Sequence, residues 1–264
     1  FSLPANSLTK IDLNNFQIKI FSDLKKFNFC SNNKTSYKDF ALAFTNAIRK
    51  RVKNIDKKIF IGLSSGHDSG LIAAELNRLK TSFSSYSVFY GEDRNILKSR
   101  INILNKNKRI NLSNLVINQK NKDLIQRYLK KYAPYVNVNL DNEDVPGGGD
   151  FRKLSGFIAA SYIINKAKEN KEKILISGQG ADEIISDYYN VYTNSRKSCM
   201  KGDWSKATKP WRNFYGGWNA AFLAAQESMA GAYGIETRYP FLDFNLIQTF
   251  LSLPNELKSK IYKA

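Results

Sequence analysis

The sequence predicts an α/β protein: a doubly wound, mostly parallel sheet flanked by helices, with a helical C-terminal part. Three observations carry this. Two short runs, Ile59–Leu63 and Ile174–Ile176, are apolar or nearly so throughout, the pattern of strands buried on both faces of a parallel sheet. Each runs into a polar turn rich in Ser, Gly and Asp, as strand-to-helix connections in such sheets do. Strand-like and helix-like segments alternate along the chain. The 264 residues suffice for a sizeable core, as one large domain or a domain with small additions.

Taken in order, residues 1–30 read as a short hairpin or linker. Ser36 to Val52 reads as an amphipathic helix, with Phe40, Ala43, Phe44, Ala47 and Ile48 on one face and Ser36 as N-cap. The strand ending in Leu63 gives way to Ser64, Ser65, Gly66, His67, Asp68 and Ser69, and then to Leu71–Leu76 at helical spacing. Ser84 to Tyr90 is rich in β-formers and stops at Gly91, a second strand. Leu115–Ile117 is expected as a third. Leu124 to Tyr132 reads as a helix ended by Pro134, and Asp141 to Asp150 as a flexible acidic loop containing Gly147, Gly148 and Gly149. Phe157 to Ala167 is a helix and Lys173–Ile176 a buried strand. Residues 195–217 read as a long loop and Ala220 to Tyr233 as a helix. No internal repeat or low-complexity tract is present.

Composition narrows the function classes. No segment is long and apolar enough to span a bilayer, and no signal-peptide pattern opens the chain, so a cytoplasmic protein is expected. The chain begins at Phe1 rather than Met and is read as a fragment or processed product. Cys30 and Cys199 stand far apart, with one His in the whole chain, which argues against a zinc or iron–sulfur site; both are read as reduced and structural. The net charge of +18 can serve nucleic acid or acidic surfaces. Its basic runs are dispersed and no aromatics interleave with them, so the charge is read as compositional and nucleic acid is not taken as the partner.

The turn at Ser64–Ser69 carries the first chemistry. A turn between a buried strand and a helix offers backbone N–H groups, hydroxyls and the positive end of a helix dipole to an anion, usually a phosphate. The Gly-Lys-Ser/Thr ending of a Walker A loop is absent. An Asp in a phosphate loop repels phosphate unless a divalent cation lies between them, so Asp68 points to Mg²⁺. An ordinary turn capped by Asp and Ser remains the alternative. The second turn, Ser177-Gly-Gln-Gly-Ala-Asp-Glu183, repeats the arrangement: a strand end, two glycines, then carboxylates. Asp68 and Asp182, each after a strand end, can meet across a sheet crevice and hold one Mg²⁺ on a polyphosphate.

Together these motifs resemble a known family. Ser64-Ser-Gly-His-Asp-Ser69 is similar to the Ser-Gly-Gly-x-Asp-Ser pyrophosphate loop of the ATP-pyrophosphatase (PP-loop) superfamily. Ser177–Glu183 is similar to the Ser-Gly-Glu-Gly-Ala-Asp-Glu element of asparagine synthetases, and Gly234–Asp243 to their Gly-x-Glu-x-Arg-x-Pro-Phe-Leu-Asp segment. The resemblance implies an adenine nucleotide alpha hydrolase-like fold. It also implies an ATP-dependent ligase that adenylates a substrate carboxylate, releases pyrophosphate and transfers ammonia or an amine to form an amide. Ser64, Ser65, Gly66, Asp68 and Ser69 would hold the ATP phosphates, Asp68 and Asp182 the Mg²⁺, and Leu63, Val88 and Gly178 the adenine and ribose. Residues 1–30 would be a linker or the remnant of an N-terminal glutaminase-like domain, a partner expected upstream or in trans. Residues 31–264 would be the synthetase domain; the family's catalytic Lys lies beyond the Pro-Phe-Leu-Asp element, so the domain is read either as C-terminally incomplete or as lacking that Lys and not competent alone.

The departures set expectations too. Ser65 replaces the first loop Gly. Gln179 stands where asparagine synthetases carry Glu, and an amide does not titrate as a general base. β-Lactam synthetases also replace this Glu and use a Tyr–Glu pair; Glu227 and Tyr188 are the candidates here. A plain asparagine synthetase is therefore not expected. Glu236, Arg238 and Asp243 are read as a buried ion-pair and turn network rather than as substrate contacts. The alternatives are a tRNA-modifying PP-loop ATP pyrophosphatase, or a binding module of the same fold that has lost its chemistry.

Overall fold

A computed structural model describes residues 7–21, 27–28, 33–89, 91–106, 110–136, 149–182 and 217–258. The sheet follows from side-chain alternation in its two central strands. In β3 (Ile59–Gly62), Ile59 and Ile61 enter one hydrophobic cluster and Phe60 another. In β6 (Ile174–Ile176), Ile174 and Ile176 join the first cluster and Leu175 the second. Strands apolar on both faces need cover on both faces. Helices α1 (Lys38–Val52), α2 (His67–Arg78) and α3 (Arg94–Asn105) supply it on one side through Ile48, Ile72, Leu76 and Leu97. Helices α4 (Gln119–Tyr132), α5 (Ser155–Glu169) and α6 (Gly217–Ala232) supply it on the other through Leu129, Ile164 and Met229.

The five strands lie in the order β5 (Ile110–Leu115), β4 (Phe83–Val88), β3, β6, β7 (Glu236–Arg238), and every neighbouring pair is parallel. The chain winds outward from β3 to β5, then returns to lay β6 on the other flank of β3. Winding reverses between β3 and β6, and the crevice at the carboxyl ends of strands at such a reversal is where open α/β sheets take ligands. The antiparallel pair β1 (Leu8–Ile11) and β2 (Ile18–Phe21) forms the hairpin expected near the start. The helical C-terminal part consists of α6, α7 (Phe244–Leu251) and α8 (Asn255–Lys258), with β7 and a 3₁₀ turn at Pro240–Leu242 between α6 and α7.

Some expectations are corrected. The third strand of the five-stranded sheet in chain order is Ile110–Leu115, not Leu115–Ile117; among the described residues it pairs only with β4, and the chain leaves the sheet at Val116, which is 81% exposed. Helix α3 is additional. Tyr37, not Ser36, occupies the N-cap of α1, and the Ser36 hydroxyl lies 3.4 Å from the N–H of Lys38. Cys30, Cys199, Tyr188, most of the acidic loop and residues 195–216 lie outside the described residues.

The Gly234–Asp243 segment forms the expected ion pairs, but the network is buried only at Asp243; Glu236, at the start of an edge strand, is exposed. Asp243 caps α7 by accepting the N–H of Asn245 and pairs with Arg51 at 2.6 Å and Lys50 at 2.9 Å. Arg238 pairs with Glu236 at 2.6 Å and donates to the carbonyl of Arg51, also at 2.6 Å. Burial alone would raise the Asp243 carboxyl, but Arg51 and Lys50 hold it below its usual range. The network thus ties the end of α1 to the strand and turn that follow α6.

Candidate active site

The first turn is closed by its own hydroxyls. After Leu63, whose N–H continues the sheet to the carbonyl of Tyr86 at 2.8 Å, the chain folds back. The Ser69 hydroxyl accepts the N–H of Ser64 at 3.1 Å and lies 2.8 Å from the Ser64 hydroxyl, which in turn accepts the N–H of Gly66 at 3.1 Å. Helix α2 then starts at His67 with Gly66 at its N-cap, a residue with no side chain to cap the first turn. An uncapped helix start is an anion-seeking surface.

The second turn leaves β6 beside β7. The N–H of Ser177 donates to the carbonyl of Arg238 at 2.9 Å. Its hydroxyl accepts the N–H of Gln179 at 3.1 Å and the amide of Gln226 at 2.8 Å. Gly180 has φ +95°, and a Cβ there would overlap the side chain of Leu242, so this bend requires glycine on both counts.

The two turns touch. A Cβ on Gly178 would lie 2.8 Å from the Cβ of Asp68, and the turns together wall a cleft of about 280 Å³. Ser64, Asp68, Ser69, Gly178, Gln179 and Asp182 line it, with Phe222 of α6 on the far side. A second cavity of about 180 Å³ lies beneath, sharing Ser69 and Gly178; it is mainly apolar, with Ile61, Ile72 and Ile163, and is edged by Ser177 and Gln226. Asp182 opens to the cleft but is hemmed by protein, and this burial pushes its carboxyl above the usual range, with His67 pulling the other way. Two carboxylates with adjacent hydroxyls are a hard-oxygen donor set that suits a divalent cation. Among the described residues no cluster of three or more His, Cys, Asp or Glu forms a metal cage.

Six of the sequence-named residues therefore meet in one cleft. The others lie elsewhere. The side chains of Leu63 and Val88 are buried, 2% and 6% exposed, and line neither cavity. Ser65 faces away from the cleft, its N–H and hydroxyl both donating to Glu92. Gly66 holds the turn without lining the cleft. Glu227 is exposed on α6, next to Gln226, and accepts the hydroxyl of Tyr239 at 2.6 Å. Burial, and then Glu227 itself, raise the Tyr239 phenol far above its ordinary range. Phe222, Gln226, Tyr239, Glu92 and Arg100 went unnamed from sequence; of these only Phe222 and Gln226, four apart on one helix, carried a spacing signal.

Comparison with known proteins agrees with the motif resemblance. Residues 203–263 match the asparagine synthase family model, on the part of the chain that holds the third motif rather than the first turn. A putative glutamine-hydrolysing asparagine synthetase of Methanocaldococcus jannaschii is 26% identical over 264 residues, covering 97% of this chain and 44% of that protein. The human glutamine-hydrolysing asparagine synthetase is 27% identical over 225 residues, 82% of this chain and 36% of that one. The chain thus spans less than half the length of these curated relatives. An NMN synthetase structure from Francisella tularensis superimposes with a TM-score of 0.41 at 14% identity, over 86% of this chain and 75% of that one. The resemblance to asparagine synthetases holds at this level. Among the described residues no helix is long and apolar enough to cross a membrane.

Proposed function

We propose that this chain carries an ATP-dependent, AMP-forming, amide-forming ligase of asparagine synthetase type, acting on a carboxylate other than, or in addition to, aspartate. The observation that supports it is the meeting of two Asp-bearing turns, from adjacent central strands, in a single cleft. Ser64, Ser69 and the start of α2 would take the phosphates of ATP, and Asp68 and Asp182 would hold the Mg²⁺. When bound, the cation shields the phosphate charge and relieves the cost of ionising Asp182. The apolar cavity edged by Ser177 and Gln226 takes the base, while Leu63 and Val88 have only backbone to offer a nucleotide.

The substrate carboxylate attacks the α-phosphorus and pyrophosphate leaves; an amine or ammonia then attacks the acyl carbon and AMP leaves with formation of the amide. The protein's part is to position these groups and meet the charge on the phosphates. Gln179, in the cleft, polarises or orients but takes no proton. Glu227, held by Tyr239, is assigned the proton lost by the amine. Residues 31–264 are assigned to the synthetase domain and 1–30 to a linker or remnant of a glutaminase-like domain, which would supply ammonia upstream or in trans. The reaction is assigned to the cytoplasm.

The test is ATP–pyrophosphate exchange in Mg²⁺ against a panel of carboxylic acids beginning with aspartate, with Asp68→Ala as control. Exchange with one acid, abolished in the control, supports the reading. Silence across the panel with intact ATP binding refutes it and favours a tRNA-modifying relative or a chemically inert module.

A further inference from the structure

We propose that α3 is the back-plate of the phosphate turn and that Arg100 is the positioning residue which aims the turn's donors. The inference rests on the reading that this turn takes ATP phosphates. Arg100 Nη1 donates to two carbonyls of the turn, Ser64 at 2.7 Å and Gly66 at 2.6 Å. A peptide is planar and trans, so a carbonyl held to one side sends the next N–H to the other. By holding those two carbonyls, Arg100 fixes the direction of the N–H groups of Ser65 and His67.

The N–H of Ser65 ends on the Glu92 carboxylate, which also receives the Ser65 hydroxyl. That hydroxyl accepts the N–H of Asp93, whose side chain caps α3. The N–H of His67, in the first turn of α2, is left pointing away from Arg100, at the end the helix dipole makes positive. The carbonyls, which would repel a phosphate if the turn flipped, are pinned to a cation instead.

Two residue choices fit this role. A Cβ on Gly70 would lie 2.7 Å from the guanidinium carbon of Arg100 and 3.0 Å from both terminal nitrogens, so glycine is what lets the arginine pass. Ser65 stands where the resembled loop has glycine, and its hydroxyl joins Glu92 to Asp93, a link glycine cannot make.

The experiment is calorimetric binding of inorganic pyrophosphate, Mg·ATP and adenosine to the wild type and to Arg100→Ala, Arg100→Lys, Gly70→Ala and the Gly70→Ala/Arg100→Ala double variant, with thermal melts of each. Losing a charged hydrogen-bond donor should weaken pyrophosphate and Mg·ATP about 10- to 100-fold. Adenosine affinity should stay at the wild-type value, and Arg100→Lys should keep part of the affinity. Gly70→Ala should reproduce the loss alone yet cost nothing further in the Arg100→Ala background, although alanine is the better helix former.

Pyrophosphate affinity unchanged in Arg100→Ala overturns the proposal. So does a fall in adenosine affinity parallel to that of pyrophosphate, or an additive penalty in the double variant. A wild type that binds neither pyrophosphate nor Mg·ATP refutes the phosphate reading of the turn itself, and the role of Arg100 with it.

Discussion

Replacing Gly178 with alanine puts a methyl group where the two turns meet. Its carbon would lie 2.8 Å from the Cβ of Asp68. Carbon atoms in contact rest at about 3.5–4.0 Å, so the turns must part by roughly 1 Å. Neither side yields cheaply. The Asp68 Cβ is fixed by the first turn of α2, and the Gly178 segment is tied by Ser177 N–H to the carbonyl of Arg238 and by Ala181 N–H to its own carbonyl at 3.2 Å. Overpacking of this kind costs about 1–3 kcal/mol of stability. A 1 Å misplacement of reacting groups costs about 100-fold in rate. The expected outcome is a fall in kcat/KM for ATP–pyrophosphate exchange of about that size, with a modest drop in melting temperature. Gly156→Ala is the control: a Cβ there meets nothing within 4 Å, and in α5 it should gain up to about 1 kcal/mol. Exchange by Gly178→Ala at the wild-type rate would refute the idea that contact between the turns sets the geometry of the cleft.

Three further outcomes are expected. Glu227→Gln should keep pyrophosphate exchange but lose amide formation by about 10²–10⁴-fold, measured by product chromatography; loss of both half-reactions would remove Glu227 from the amine step. Asp243→Ala leaves Arg51 and Lys50 facing an emptied site. The cost is about 2 kcal/mol by urea titration, below the ~3–5 of a fully buried pair because the Lys50 side chain is 54% exposed. The Asp243 carboxyl is held below its unfolded value, so its contribution is complete above the unfolded pKa and is lost as pH falls through the folded one; the gap between variant and wild type should close in acid. Glu172 is buried, its Oε2 lacks a hydrogen-bond partner among the described residues, and burial raises its carboxyl. A raised acid contributes stability below its unfolded pKa and loses it as pH rises through the folded one, so Glu172→Gln should melt higher than wild type at about pH 8 and show no advantage near about pH 4. Equal melting at both would mean that Glu172 ionises without penalty.

What was legible in the sequence followed burial. β3 and β6 read as strands because both their faces are covered, leaving Ile59–Ile61 and Ile174–Ile176 apolar throughout. The edge strands gave weaker signals. β5 interleaves Asn111, Ser113 and Asn114 with its apolar residues, which displaced the expected strand to Leu115–Ile117, and β7 is Glu-Thr-Arg, polar at every position. Helix α3 hid behind Asn, Lys and Ser, with only Leu97 and Leu104 buried. Both turns were legible because glycine, serine and aspartate at a strand end have few other uses. Their supports were not. Arg100 reaches the turn from a helix that joins two other strands, and Gln226 reaches Ser177 from a helix on the opposite face, pairings that only the finished topology creates.

The order of the strands also governs when the cleft comes into being. β3 and β6 are neighbours, yet β4, β5 and the helices joining them intervene along the chain. Closing so long a stretch carries a large entropic cost and is slow. Asp68 and Gly178 are brought together only by that closure, so no early hairpin or isolated helical half can display the site. Nucleotide capture during refolding would therefore count finished molecules alone, lagging behind the recovery of helical signal. At equilibrium, ligand would draw the whole population toward the closed sheet by mass action, protecting the central strands as strongly as the turns that hold it.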